Sequence, residues 1–133
     1  MEKHIDRLKE MLSRDRFAAH NGIRLVSVKK GEALAEMTVT EQHLNGVDII
    51  QGGALFTLAD FAFAAASNSH GRIALATNVS INFFKGVSSG KLFALATELN
   101  TGKTLSNYTV DITDESGNKI AFFSGTAFQK GEY

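Results

Sequence analysis

The stretch "QGGALFTLADFAFAAASNS", Gln51–Ser69, decides how the rest of the chain is read. From Ala54 to Ala66 it is apolar except for Thr57 and Asp60. It therefore reads as a helix over 53–69, buried nearly all round and stopped by His70-Gly71. Ala54, Ala59, Ala62, Ala64, Ala65 and Ala66 keep this helix thin, so strands can approach it closely. A helix of about 17 residues is about 25 Å long and a ten-residue strand about 33 Å, so a long strand can run the whole length of the helix.

Working outward, strands are expected at 23–29 and 32–40, turned at Lys29-Lys30-Gly31, with a loop at 41–51. Beyond the helix, extended runs at 73–84, 91–100, 104–113 and 119–129 are separated by Ser88-Ser89-Gly90, Thr101-Gly102 and Glu115-Ser116-Gly117-Asn118. Their spacing predicts consecutive antiparallel strands. Ile5, Leu8 and Leu12 follow helical spacing among charges, which predicts an amphipathic helix over 3–18, within an N-terminal segment 1–20 that ends near His20-Asn21-Gly22. The architecture is α+β: a six-stranded antiparallel sheet wrapped around one long central helix, in a single domain spanning 1–133. One sheet covers only part of a helix that is apolar all round. A second copy of the chain is expected to cover the rest.

Composition narrows the function. Fourteen basic and fourteen acidic residues cancel, and neither sign forms a run that would suit nucleic acid or an anionic membrane. A small ligand is the better expectation. The chain has no cysteine, hence no disulfide framework or thiolate chemistry, and its charged N-terminus lacks the apolar core of a signal peptide. A cytosolic, soluble protein fits these features. His4, His20, His43 and His70 share no metal-ligand spacing and read as surface or capping residues.

Within the helix, Gly53, Thr57, Asp60 and Ser67 fall along one line, at offsets of four, three and seven. Asp60 is either a carboxylate satisfied by hydrogen bonds or solvent, or a group kept for chemistry. Beside Leu58 and Phe61 its pKa should rise, which suits a general base and also permits nucleophilic attack. Gly52-Gly53 opens the helix. It either serves tight packing or leaves first-turn N–H groups free to polarise a carbonyl. Seven residues rise about 10 Å, so the Asp60 carboxylate should sit about 6–8 Å from the Gly53 N–H in one chain. Two antiparallel copies across a two-fold axis would bring Gly53 of one chain to Asp60 of the other.

The segments "HLNGVDIIQGGALFTLADFAFAAASNSHG" and "TNVSINFFKGVSSGKLFALATELNTGKTLSNYTVDITDESGNKIAFFSGTAF" resemble the hotdog-fold acyl-CoA thioesterases of the phenylacetic-acid-degradation (PaaI-like) type, over residues 17–129. The resemblance implies a hotdog fold, a homodimer with shared sites or a dimer of dimers, and hydrolysis of acyl-CoA without metal or organic cofactor. By position, Asp60 takes the place of the catalytic carboxylate and Gly53 that of the backbone donor. Asn45 matches a loop asparagine that positions the region, or simply stabilises its loop. Thr77 lies near a hydroxyl that relatives offer to the catalytic water, or is an ordinary strand residue. Lys103 and Thr104, in the turn "TGKT", fall where relatives hold the CoA arm, with solvated turn residues as the plainer reading; Lys85, Lys91 and Arg72 are weaker candidates for the same CoA contact.

This chain departs from the family pattern in reading Gln51 where relatives commonly have histidine, and Asp48 where they often have glycine. Glutamine can donate a hydrogen bond to a carbonyl but has no proton to exchange near neutral pH. A non-hydrolytic acyl-thioester-binding protein on the same fold is therefore the alternative reading. A hydratase ranks last, because no histidine falls in the helix or the glycine turn.

Overall fold

The central helix, α3, runs Gly52–Ser67, with Gln51 as its N-cap and Asn68 as its C-cap. It lies in the concave face of one six-stranded antiparallel sheet in a computed structural model that describes residues 2–132. Met1 and Tyr133, the ends of the expected domain, lie outside the described residues. In chain order the other elements are α1 (Glu2–Ser13), α2 (Arg16–His20), β1 (Arg24–Lys29), β2 (Glu32–Thr38), β3 (Arg72–Phe83), β4 (Lys91–Thr101), β5 (Leu105–Asp114) and β6 (Lys119–Glu132). A short 3₁₀ turn, Glu41–His43, follows β2.

The strand order is β1-β2-β4-β5-β6-β3. The expected consecutive order fails at one place: β3 does not lie beside β4 but at the far edge, paired with β6. The intervening helix causes this. After β2 the chain crosses the sheet as α3, and β3 therefore emerges on the other side, leaving β4 to pair with β2.

The helix packs against inward-facing residues at alternate positions: Ala33, Ala35 and Met37 from β2, Leu92, Ala94 and Ala96 from β4, Tyr108, Val110 and Ile112 from β5. Phe63 anchors this contact, 5.8 Å from the Tyr108 ring and 5.5 Å from Phe123. A Cβ at Gly125 would lie 3.0 Å from the Phe63 ring and 3.1 Å from Val79, so only glycine lets β6 pass so close to the helix.

The N-terminal segment departs from the single helix expected over 3–18. It breaks at residues 14 and 15, where the Asp15 side chain accepts from Ala18 N at 3.0 Å and starts α2 afresh. Aspartate competes for backbone N–H groups within a helix and is strong at its N-cap, which accounts for the break. No helix among the described residues is long and apolar enough to cross a membrane.

Candidate active site

The helix line expected to carry polar groups ends early. Gly53 is exposed and Thr57 and Asp60 are half-buried, but Ser67 is buried against the helix backbone. Thr57 donates to Gly53 O at 2.8 Å and is thereby turned back onto its own helix. Asp60 is left as the chemical group of this face. Its neighbours Ala59 and Phe61 are buried, and no hydrogen bond from a described residue reaches its carboxylate. Burial raises its pKa above the ordinary 3.8, and the negative charge of Asp15 raises it further. Asp15, which sequence reasoning passed over, lines a cavity of about 480 Å³ together with Leu12, Ala18, Leu25 and Phe61.

The entrance to α3 is built by the loop before it. Asn45 Oδ1 accepts from Val47 N at 3.0 Å and from Ile49 N at 3.2 Å, so the asparagine side chain organises the loop. Asp48 occupies a left-handed conformation, φ 61°. This explains the glycine expected there: the conformation costs a glycine nothing sterically and is tolerated by aspartate. The loop is tied to the β3–β4 connection through Ile50 N, which donates to Val87 O at 2.7 Å, and Gln51 then starts the helix.

Gln51 and Gly53 are brought together, but not as two independent donors. Gly53 N donates to Gln51 Oε1 at 2.8 Å, so the N–H expected to face a substrate carbonyl has an acceptor within the chain. Both residues, with Phe17, His43, Phe56 and Thr57, line a second cavity of about 560 Å³. His43 meets the capping side of the expectation for the histidines and departs from its surface side. It is buried, its Nδ1 accepts from Thr40 N at 3.0 Å and its Nε2 donates to Asn21 O at 3.0 Å, which makes it a structural clasp. His70 is half-buried and paired with Glu98.

The remaining candidates separate. Thr77 sits at a bulge in β3 and donates to Thr126 O at 3.2 Å, within the sheet. Lys85 lines a cavity of about 390 Å³ with Ile49, Gly52 and Phe83, beside the start of α3. Lys103 and Thr104 lie at the opposite end of the helix: Lys103 O accepts from Arg72 at 3.2 Å and Thr104 O from Gln129 N at 2.7 Å. One chain therefore does not gather its CoA-side candidates into one site. The same holds for the interval between Gly53 and Asp60, two helical turns apart.

A carboxylate of raised pKa on a sheet-wrapped helix, with a glycine turn at that helix's N-terminus, agrees with the sequence match over residues 48–121, which is to the Thioesterase superfamily. The chain belongs to that superfamily. Within it the resemblance is to PaaI-like hotdog thioesterases. Acyl-coenzyme A thioesterase PaaI of Escherichia coli is 38% identical over 122 residues, covering 91% of this chain and 87% of the relative. The solved structure of E. coli PaaI superposes with a TM-score of 0.93, at 35% identity, over 98% of this chain and 96% of that one. A mutant of the phenylacetic acid degradation protein PaaI from Thermus thermophilus superposes at 0.84, with 32% identity, over 87% of this chain and 100% of that one. Human acyl-coenzyme A thioesterase 13 is 30% identical, over 74% of this chain and 72% of its own length. This thioesterase shares their hotdog architecture, and the match to E. coli PaaI extends over 98% of the chain.

Proposed function

We propose that this thioesterase hydrolyses acyl-CoA thioesters at two equivalent sites shared between two copies of the chain. The observation that carries the proposal is Asp60: a carboxylate half-buried against apolar neighbours, its pKa raised, with no donor among the described residues to hold its charge. Such a group accepts a proton more readily than an exposed aspartate and is poorly solvated as an anion, which suits a base or nucleophile. The names of the E. coli and human relatives support an acyl-CoA substrate.

In the base form of the reaction, Asp60 takes a proton from water as the oxygen of that water bonds to the thioester carbon. The carbonyl oxygen gains negative charge, which the Gly53 N–H of the other chain stabilises. Collapse of this intermediate breaks the C–S bond, and the departing thiolate takes the proton from Asp60. Free acid and CoA thiol result. In the nucleophilic form Asp60 itself bonds to the carbonyl carbon, the thiolate leaves, and water then hydrolyses the mixed anhydride. Hydrolysis in ¹⁸O-water under single-turnover conditions identifies the nucleophilic route in which water attacks the Asp60 carboxyl carbon of the anhydride, because only that route places the label in Asp60.

The edge of the sheet supports sharing between copies. Edge strand β3 has twelve residues and pairs on one side only, so its free edge can pair with the same edge of a second chain. Antiparallel pairing there would bring Lys103 and Thr104 of one copy toward the end where the other presents Lys85 and Gly53. The test is release of free thiol from a panel of aromatic and aliphatic CoA esters by the wild type and Asp60→Asn. Loss of turnover in a variant that keeps its oligomeric state is expected. Unchanged hydrolysis would remove Asp60 from the reaction.

The second reading, an acyl-thioester binder that does not cleave, is favoured by one observation: Gln51 holds the Gly53 N–H. Wild-type protein that binds CoA esters yet releases no thiol from any of them would decide for it.

A further inference from the structure

The Gly53 N–H already has an acceptor in the unliganded chain, and the way it is held is unusual for a helix start. Gln51 Oε1 lies 2.8 Å from Gly53 N, and a Cβ on Gly53 would lie only 2.6 Å from the same oxygen. The amide of Gln51 therefore lies over the open face that glycine leaves. Both residues are exposed, and both border the 560 Å³ cavity at the helix entrance. The Gln51 Nε2 group makes no hydrogen bond to a described residue, so the side chain is tethered by one bond alone.

A backbone N–H carries one hydrogen, and a thioester oxygen must approach it along the line that the glutamine oxygen occupies. The two acceptors compete. We propose that Gln51 is a displaceable stopper on the carbonyl-polarising site: its side-chain oxygen holds the Gly53 N–H in the free protein, and an acyl-CoA thioester binds productively by turning that side chain out. The inference rests on the thioesterase reading above and adds a step of regulation to it.

Glutamine suits this role better than the usual N-cap residues. Asparagine, aspartate and serine reach the first-turn N–H groups with short, stiff side chains. Glutamine carries one more methylene than asparagine and can leave by rotation about its own bonds. Its acceptor is neutral, so the bond biases the closed position by only about 2- to 12-fold for an exposed pair. The apparent affinity of substrate falls by the same factor, since only the open fraction binds.

The test uses two variants of the full chain. Gln51→Met keeps length and removes the acceptor. With a hydrolysed CoA ester its KM should fall roughly 2- to 10-fold, the effect falling on KM rather than on kcat, because a bias on the free protein changes ground-state and transition-state binding alike. Gln51→Glu places a charged acceptor on the same N–H, which the helix N-terminus favours. Its KM should rise at neutral pH and return toward the wild-type value as the pH is lowered, because the protonated glutamate keeps a neutral carbonyl acceptor like that of glutamine. A residue that only caps the helix would lower the melting temperature in Gln51→Met without lowering KM, and that result overturns the proposal, as does a pH-independent KM in Gln51→Glu.

Exchange of the Gly53 amide hydrogen in ¹⁵N-labelled protein, and titration with S-(2-oxopropyl)-CoA, an uncleavable analogue that keeps the carbonyl, test the stopper without turnover. Exchange should be faster and the analogue should bind more tightly in Gln51→Met. If the wild type releases no thiol from any ester, the thioesterase reading fails. Equal exchange and equal analogue affinity in wild type and Gln51→Met sink the stopper alone.

Discussion

Asp60 and Glu98 are two half-buried carboxylates on either side of the same core, Asp60 the more deeply set, and their environments push them in opposite directions. Burial acts on both alike, favouring the protonated form. At Asp60 nothing offsets it, and the Asp15 charge adds to it. At Glu98 burial is outweighed by hydrogen bonds from Thr101, His70 and Tyr108, which hold the pKa below 4.5. His70 Nε2 lies 2.6 Å from Glu98 Oε1, and the Tyr108 hydroxyl donates to the same oxygen at 3.0 Å. Donors decide the sign. The contrast extends to the two ends of α3: its C-terminal end is clasped by Gly31 N donating to Ser69 Oγ at 2.7 Å and Glu98 N donating to Gly31 O at 2.9 Å, while its N-terminal end presents exposed groups to a cavity.

The largest effect is expected from removing the charge of Asp60. Asp60→Asn should lower kcat by about 10²–10⁴, the range of a positioned acid–base group. Its stability should move the other way. A carboxylate whose folded pKa is raised contributes full stability below its unfolded value of about 3.8 and loses it as the pH rises through the folded pKa. At pH 7 the ionised Asp60 therefore costs stability, and thermal melts should show Asp60→Asn more stable than wild type at pH 7 but not near pH 3. A variant that is less stable at pH 7 would show that the charge is accommodated after all.

Next comes the other carboxylate. Glu98→Ala leaves the buried Tyr108 hydroxyl without its acceptor and should destabilise the fold by about 1–3 kcal/mol in urea unfolding at pH 7. Since the folded pKa of Glu98 is depressed, its contribution is present above about 4.5 and is lost as the pH falls through the folded value. The gap between wild type and variant should narrow on acidification.

A smaller change links the two regions of negative charge. Asp15→Asn keeps an N-cap side chain but removes the charge acting on Asp60. The acid limb of kcat/KM, below which Asp60 is protonated, should move to lower pH. An unmoved limb would separate Asp15 from the site. The smallest effect is expected at Asp48→Gly, where relief of the left-handed conformation is offset by the greater freedom of unfolded glycine; melting should change by no more than about 1 kcal/mol.

The elements of this fold were legible because each is marked locally. The apolar run of α3, the alternation in β2 and the glycine turns between later strands placed the elements within a few residues of their observed limits. Asp60 was legible for a related reason: a charge inside an apolar helix stands out against its neighbours. The break at Asp15 was visible only as an aspartate within helical spacing, and no such local mark announces the jump of β3 to the far edge, which follows from where α3 crosses the sheet. Nor could spacing show that His43 is buried and tied to Asn21, or that Lys85 and Lys103 lie at opposite ends of one chain.

What the sequence determined by itself was the set of elements, the wrapped-helix architecture and the carboxylate within it, because the periodicity of apolar residues reports which faces must leave water. What only the tertiary structure decided was the electrical state of that carboxylate and the occupant of the Gly53 N–H. Proton affinity depends on donors and charges brought from distant parts of the chain, and a hydrogen bond depends on the direction of a side chain. Neither is written in the order of residues along a helix.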